Sequence, residues 1–136
     1  MKLFILTYIS IITALSLFLF NDNDKELKES IKRGYDIYND FCVTCHLPNG
    51  EGVENTFPPL AKADYLLKNR EESIRGVKFG QQGEIVVNGV TYNNTMPAMG
   101  LDDEEIADVM NYILNSWGNK GKDIVTPEEV SKIQKK

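Results

Sequence analysis

The chain has 136 residues, with 20 acidic and 15 basic side chains and a net charge of −5. That is one domain's worth of polypeptide, and the acidic balance argues against nucleic acid as a partner, because phosphates call for a basic surface. Its two cysteines stand three residues apart with the lone histidine directly after them, which excludes a disulfide framework stapling long loops. At the start, after Lys2, residues 3–20 are uncharged and mostly Leu, Ile and Phe. This run lies between the length of a signal-peptide core and that of a membrane span. Positive charge before it, and Asn21, Asp22, Asn23 and Asp24 after it, orient the start inside and the rest outside. Ala14 and Ser16 offer small residues to a signal peptidase, but inside the apolar run. Residues 1–21 are therefore read as a signal peptide or a retained membrane anchor. Residues 22–136 form the exported domain, with 119–136 as a C-terminal extension.

From residue 25 to about 44, Leu27, Ile31, Tyr35, Tyr38 and Phe41 or Cys42 recur at three- and four-residue steps, which predicts an amphipathic helix. Pro48, Asn49, Gly50 and Gly52 break it. Phe57-Pro58-Pro59 is stiff and extended, since neither proline has an N–H to donate. Short helices are expected over 62–69 and 71–79, the second ended by Gly80. Asn88-Gly89 between 84–87 and 90–92 predicts a hairpin, because both central residues of its tight turn need positive φ. A polar loop over 93–100 holds Met96, Pro97 and Met99. Asp102 with Glu105 then opens the clearest helix, whose stripe is Ile106, Val109, Met110 and Ile113, and Gly118 after Trp117 is a natural stop. Residues 119–125 read as linker-like. Thr126-Pro127-Glu128-Glu129 starts a last short helix, with threonine as cap and proline at the first position.

The chemistry lies in Cys42-Val43-Thr44-Cys45-His46, the C-x-x-C-H attachment signature of a c-type haem. Two thiols add to the two vinyl groups and become thioethers. Two intervening residues let one helical turn present both sulfurs to the same porphyrin edge, and the next residue supplies an imidazole to the iron. A thioredoxin-like dithiol would sit at a helix start after a strand, and here no strand precedes it. A zinc site would need a second ligand pair, which the chain lacks.

The other axial ligand is narrowed by elimination. His46 is the only histidine, so methionine is the next usual partner. Met1 belongs to the leader, and Met110 lies on the apolar face of a capped helix. Met96 and Met99 remain.

From about residue 27 onward the chain resembles bacterial cytochromes c of the mitochondrial-like type. The resemblance rests on 42–46, Phe57-Pro58-Pro59-Leu60, 92–97 and 101–118, with Met96-Pro97 running into Leu101-Asp102-Asp103-Glu104-Glu105-Ile106-Ala107. It implies an all-α cytochrome c fold, with helices wrapped around one haem and a small β-hairpin insertion. It further implies one haem c held covalently by Cys42 and Cys45, with His46 and Met96 as iron ligands. The carbonyl of Pro58 or Pro59 is expected to accept a hydrogen bond from His46. The first and last helices of the haem domain are expected to cross with Gly34 and Tyr38 against Val109 and Tyr112. The implied function is single-electron transfer between redox proteins by a monomeric periplasmic carrier, soluble or anchored to the inner membrane through residues 3–20. The alternatives are a dedicated cytochrome subunit of one oxidoreductase, which the tail at 125–130 also resembles, and a haem-based gas sensor or peroxidase.

Overall fold

The computed structural model describes residues 24–121 and 123–136. The expected leader lies outside the described residues. Helix α1 covers 24–41 in the described part and is followed, after a turn at Cys42, by α2 (Val43–His46). Then come α3 (Asp64–Lys68), α4 (Arg70–Phe79), β1 (Ile85–Val87), β2 (Val90–Tyr92), α5 (Asp103–Asn115) and α6 (Pro127–Lys132). Among the described residues no helix is long and apolar enough to cross a membrane.

α5 is the central element. Ile106 and Val109 are fully buried and Met110 nearly so, as their stripe predicts, but Asp108 and Asn111 on other sides are buried as well. Its start follows from a complete capping box: the Asp102 carboxylate accepts from the N–H groups of Glu104 and Glu105, and the Glu105 carboxylate accepts from the N–H of Asp102. Its end departs from expectation. The helix stops at Asn115, before Trp117, which itself takes a left-handed φ of 52° ahead of Gly118. Trp117 is held there by packing, with its ring 5.0 Å from Tyr38 and 5.3 Å from Tyr112 between centroids. Aromatic pairs at this spacing contribute beyond their buried area.

α1 meets α5 through a face that hydropathy alone misplaces. Ser30, Gly34 and Tyr38, spaced four apart, are buried, whereas Tyr35 and Phe41 are 52% and 44% exposed. The reason is the closeness of the crossing. A Cβ on Gly34 would lie 2.0 Å from the Asp108 carbonyl oxygen and 2.8 Å from the Tyr112 Cβ, so only a bare backbone fits. The nearest neighbour is thus Asp108, one position before the Val109 suggested by the sequence. Around it, Ser30 Oγ donates to Asp108 Oδ1 at 2.7 Å, and Arg33 grips the same carboxylate with two nitrogens.

The hairpin forms in the register Ile85↔Tyr92, Val86↔Thr91, Val87↔Val90, with Asn88 and Gly89 at φ 52° and 81°. Asn88 and Asp64 exchange two hydrogen bonds, N–H of each to the side-chain oxygen of the other, which dock the turn onto the start of α3.

The described residues between 119 and 125 are packed against the domain, not linker-like. Asn119 donates to the carbonyls of Leu60 and Ile113 and accepts from the N–H of Lys62. Val125 is buried, with its N–H and C=O both on the Asn111 amide. α6 then packs on α5 and buries Val130. Its cap is the expected one, Thr126 accepting from Glu129 N–H, with Pro127 at the first position. Arg70 fixes this segment to α4 by donating to the carbonyls of Asp123 and Ile124 and to both carboxylate oxygens of Glu129.

The hydrogen bonds from Arg70 hold the Glu129 carboxyl below the usual carboxylate range, against a smaller opposing push from burial. The folded chain therefore binds that proton less readily than the unfolded chain. Its stabilising contribution is complete above about pH 4.3, the ordinary glutamate value, and is lost as pH falls through the lowered folded value. Glu129→Gln is expected to cost about 1 kcal/mol or less at neutral pH, as the pair is partly exposed. In a series of melts, the gap between wild type and variant should close as the pH drops below about 4.

Candidate functional site

Cys42 is where α1 breaks. Its N–H still bonds the Tyr38 carbonyl, and its own carbonyl accepts from the N–H groups of Cys45 and His46, so 42–46 forms one separate helical turn. Leu47, at φ 63°, ends it. The loop that follows is folded back tightly: Gly52 N–H donates to the His46 carbonyl, while the Gly50 carbonyl accepts from Leu60 and Ala61. Gly52 lies so close to the Phe57 and Pro58 carbonyls that a Cβ would sit 2.4 Å and 2.7 Å from their oxygens.

This loop decides the chemistry of the histidine. His46 Nδ1 lies 3.0 Å from the Pro58 carbonyl oxygen. A carbonyl has no proton to give, so Nδ1 carries the hydrogen and donates. Burial pushes the ring's pKa down, only partly countered by that bond, and so favours the neutral ring. A neutral imidazole protonated at Nδ1 keeps its lone pair on Nε2, the tautomer a metal ligand needs. Of the two prolines named from sequence, Pro58 is the hydrogen-bond partner, and Pro59 contributes to the cavity wall.

Burial, and then the neighbouring Cys45, push the Cys42 thiol up to about 11. A thiol so reluctant to ionise is a poor redox dithiol, since exchange chemistry runs through the thiolate. Among the described residues, no group of three or more His, Cys, Asp or Glu side chains comes together as a metal cage.

Cys42, Cys45, His46, Pro58, Pro59, Met96 and Met99 all line one cleft of about 1250 Å³, counting the open mouth. The rest of its wall is largely apolar, with Phe57, Leu60, Leu66, Val77, Ile85, Val87 and Tyr92 among its residues. A large flat apolar group with two vinyl edges and a metal at its centre fits these donors: two thiols, one fixed imidazole and a thioether in a greasy slot.

Met96 and Met99 differ in how they are held. Met96 exchanges two backbone hydrogen bonds with Gln81, at 2.8 Å and 2.9 Å. Gly80 presses on the same strip, where a Cβ would lie 2.8 Å from the Met96 carbonyl oxygen. Asn94 Nδ2 donates to the Thr56 carbonyl and so ties the methionine loop to the proline loop across the cleft. The sequence marks Gly80 only as the end of a helix and gives Gln81 and Asn94 no part in the site. Each acts through a backbone group far along the chain, for which no local pattern exists.

The cytochrome c family profile matches residues 31–117. The chain belongs to the cytochrome c family. It is 43% identical over 104 residues to cytochrome c-552 of Thermus thermophilus, covering 70% of this chain and 79% of that one. It is 34% identical over 105 residues to the cytochrome c subunit of the quinone alcohol dehydrogenase of Gluconacetobacter polyoxogenes, covering 74% of this chain but only 22% of that subunit. It is also 29% identical over 125 residues to the cytochrome c subunit of gluconate 2-dehydrogenase from Pantoea cypripedii, covering 86% of this chain and 28% of that one. The expected fold stands: a helical cytochrome c domain with one small antiparallel hairpin among the described residues. The cofactor is haem c, bound covalently through the cysteine pair. The protein is a cytochrome c electron carrier or a cytochrome subunit of an oxidoreductase.

Proposed function

We propose that this cytochrome c carries single electrons between redox proteins outside the cytoplasm, with its haem iron held between His46 and Met96. The bound haem supplies the one-electron couple; the chain's own residues position it, shield it and choose its ligands. Cys42 and Cys45 fix its edge to one turn. Pro58 holds His46 in the tautomer that offers Nε2. Gln81 and Gly80 fix the backbone from which Met96 reaches into the cleft, whereas Met99 has no comparable anchor among the backbone hydrogen bonds described and precedes Gly100 at φ 76°. The observation that carries this reading is one pre-set imidazole and one methionine of pinned backbone on the walls of a single cleft. A thioether ligand stabilises ferrous over ferric iron relative to a second imidazole.

The test is the visible spectrum of the protein matured in a host that attaches haem c. Met96→Ala is expected to abolish the weak red band assigned to iron–methionine bonding and to lower the midpoint potential, while Met99→Ala leaves both in place. Loss of the band in Met99→Ala alone would move the ligand to Met99. Rapid binding of carbon monoxide by the reduced wild type would favour a sensor instead.

A dedicated subunit is the second reading, favoured by the likeness to cytochrome subunits of two dehydrogenases. Co-purification with one oxidoreductase separates it from a free shuttle.

A further inference from the structure

The aromatic cluster that stops α5 runs from the surface to the cysteine turn. Its outer ring is Tyr35 on α1, half exposed, with its centroid 5.6 Å from that of Tyr112. Tyr112 lies 5.3 Å from Tyr38 and 5.3 Å from Trp117, and those two lie 5.0 Å from each other. Tyr38 is the inner end and is buried. Its carbonyl accepts from the N–H of Cys42, and its hydroxyl donates to the carbonyl of Leu47 at 2.7 Å. Tyr38 is thereby fastened to both ends of the turn that carries the two thiols and the imidazole. Trp117 leans on the loop that follows, so close that a Cβ on Gly50 would lie 2.6 Å from its ring.

The make-up of the cluster is selective. Among the described residues every close pair of rings joins these four side chains, three tyrosines and the only tryptophan, and none of Phe41, Phe57 or Phe79 takes part. Edge-on ring packing is served as well by phenylalanine. Tyrosine and tryptophan differ from it in giving up an electron far more readily. Electron tunnelling weakens exponentially with distance, so oxidisable rings in contact replace one long jump by short ones. The two ends also differ in the fate of the phenolic proton. Tyr38 donates its proton to a peptide carbonyl, which is too weak a base to remove it, whereas Tyr35 faces water. A missing electron therefore comes to rest at Tyr35, where the proton can leave.

We propose that Tyr35, Tyr112, Tyr38 and Trp117 form an electron relay through which the ferrous haem repairs a radical formed at the protein surface. The oxidant is a small one-electron radical in solution. It takes an electron from Tyr35 and leaves as its anion, while the phenolic proton passes to water. The Tyr35 phenoxyl then draws one electron from the ferrous iron, by way of Tyr112 and the Tyr38–Trp117 pair, and regains a proton from water. In balance, one radical becomes an anion, one ferrous iron becomes ferric, and Tyr35 is restored. The direction follows from oxidising strength, since a tyrosine phenoxyl is a much stronger oxidant than ferric haem c. When the iron is already ferric the phenoxyl has no donor, and two of them on separate copies couple into a carbon–carbon linked tyrosine pair. The inference rests on the one-electron couple of the reading above and is independent of which methionine binds the iron.

The test uses the full-length haem-loaded protein and azide radicals generated by pulse radiolysis. In the ferrous wild type, haem oxidation should show, after any direct reaction with the radical, a first-order phase whose rate does not depend on protein concentration. Tyr35→Phe should lose that phase because the entry ring no longer takes the radical. Tyr112→Phe should lose it as well, although its ring still fills the same space. Mass spectrometry of the products gives a second readout: dimers linked through Tyr35 should form in the ferric wild type and in ferrous Tyr112→Phe, but not in the ferrous wild type. A first-order phase that survives in either variant would overturn the proposal, as would equal cross-linking of the ferrous and ferric wild type. Failure of the His46–Met96 reading would show separately, in the visible spectra of Met96→Ala and Met99→Ala, and would leave the radical kinetics intact.

Discussion

Gly34→Ala is expected to destabilise the protein by about 3 kcal/mol, although helix propensity alone predicts a gain of about 1 kcal/mol from removing a glycine inside a helix. The two effects have opposite signs, so the measurement decides between them. A Cβ at this position would stand 2.0 Å from the Asp108 oxygen and 2.5 Å from its carbonyl carbon. The obstacle is backbone of the central helix, which cannot rotate aside as a flexible side chain would. Relief requires α1 and α5 to separate. Separation would stretch the bonds from Ser30 and Arg33 to the buried Asp108 carboxylate, and a buried charge losing its partners is costly. Guanidinium unfolding of the haem-loaded variant should show a clearly lowered midpoint. An unchanged or raised midpoint would mean that the two backbones are not in contact at Gly34.

The features legible in the sequence are those whose cause lies within a few residues. The cysteine turn, the Asp102–Glu105 capping box, the Asn88-Gly89 turn and the Thr126-Pro127 start each depend on spacing along one short segment, and each forms as written. What the sequence misplaced or left open shares the opposite property. Tyr35 and Phe41 look like core by hydropathy, yet the inward face belongs to Ser30 and Gly34, because what matters is the backbone of a helix more than seventy positions away. Trp117 ends α5 early for the sake of an aromatic cluster with α1. The choice of Pro58 as the partner of His46 depends on how the loop after Leu47 doubles back, with Gly52 as the close point. The pinning of Met96 by Gln81 needs a pairing between two non-adjacent loops. Cofactor attachment was readable because it is written in consecutive residues, and the Gln81–Met96 pairing was not, because it is made by backbone groups with no side-chain signature.

Asn111→Ala should be the second severe change, and its effect should be confined to one part of the molecule. The Asn111 amide donates to the Val125 carbonyl at 2.9 Å and to Ser30 Oγ at 2.8 Å, and its oxygen accepts from Val125 N–H at 2.7 Å. Val125 is 1% exposed, so truncation leaves two buried backbone groups with no partner. Each orphan costs about 1–3 kcal/mol, which puts the total for a rigid response at roughly 2–6 kcal/mol. A cheaper response exists. The segment from 119 onward can lift off and let water satisfy Val125, at the expense of re-exposing Val125 and Val130 and of releasing the grip of Arg70 on Asp123, Ile124 and Glu129. Local opening of this kind sets a ceiling on the cost. Amide exchange at Val125 and across α6 should therefore accelerate sharply in Asn111→Ala, while α1, the cysteine turn and the methionine loop keep their protection and the visible spectrum stays as it was. Exchange at Val125 as slow as in the wild type would show that Arg70 and α6 hold the segment without Asn111. Uniform acceleration throughout the chain would show that the segment is part of the same cooperative unit as the haem cleft, and that the fold beyond residue 119 is as necessary to the electron carrier as the helices that surround its cofactor.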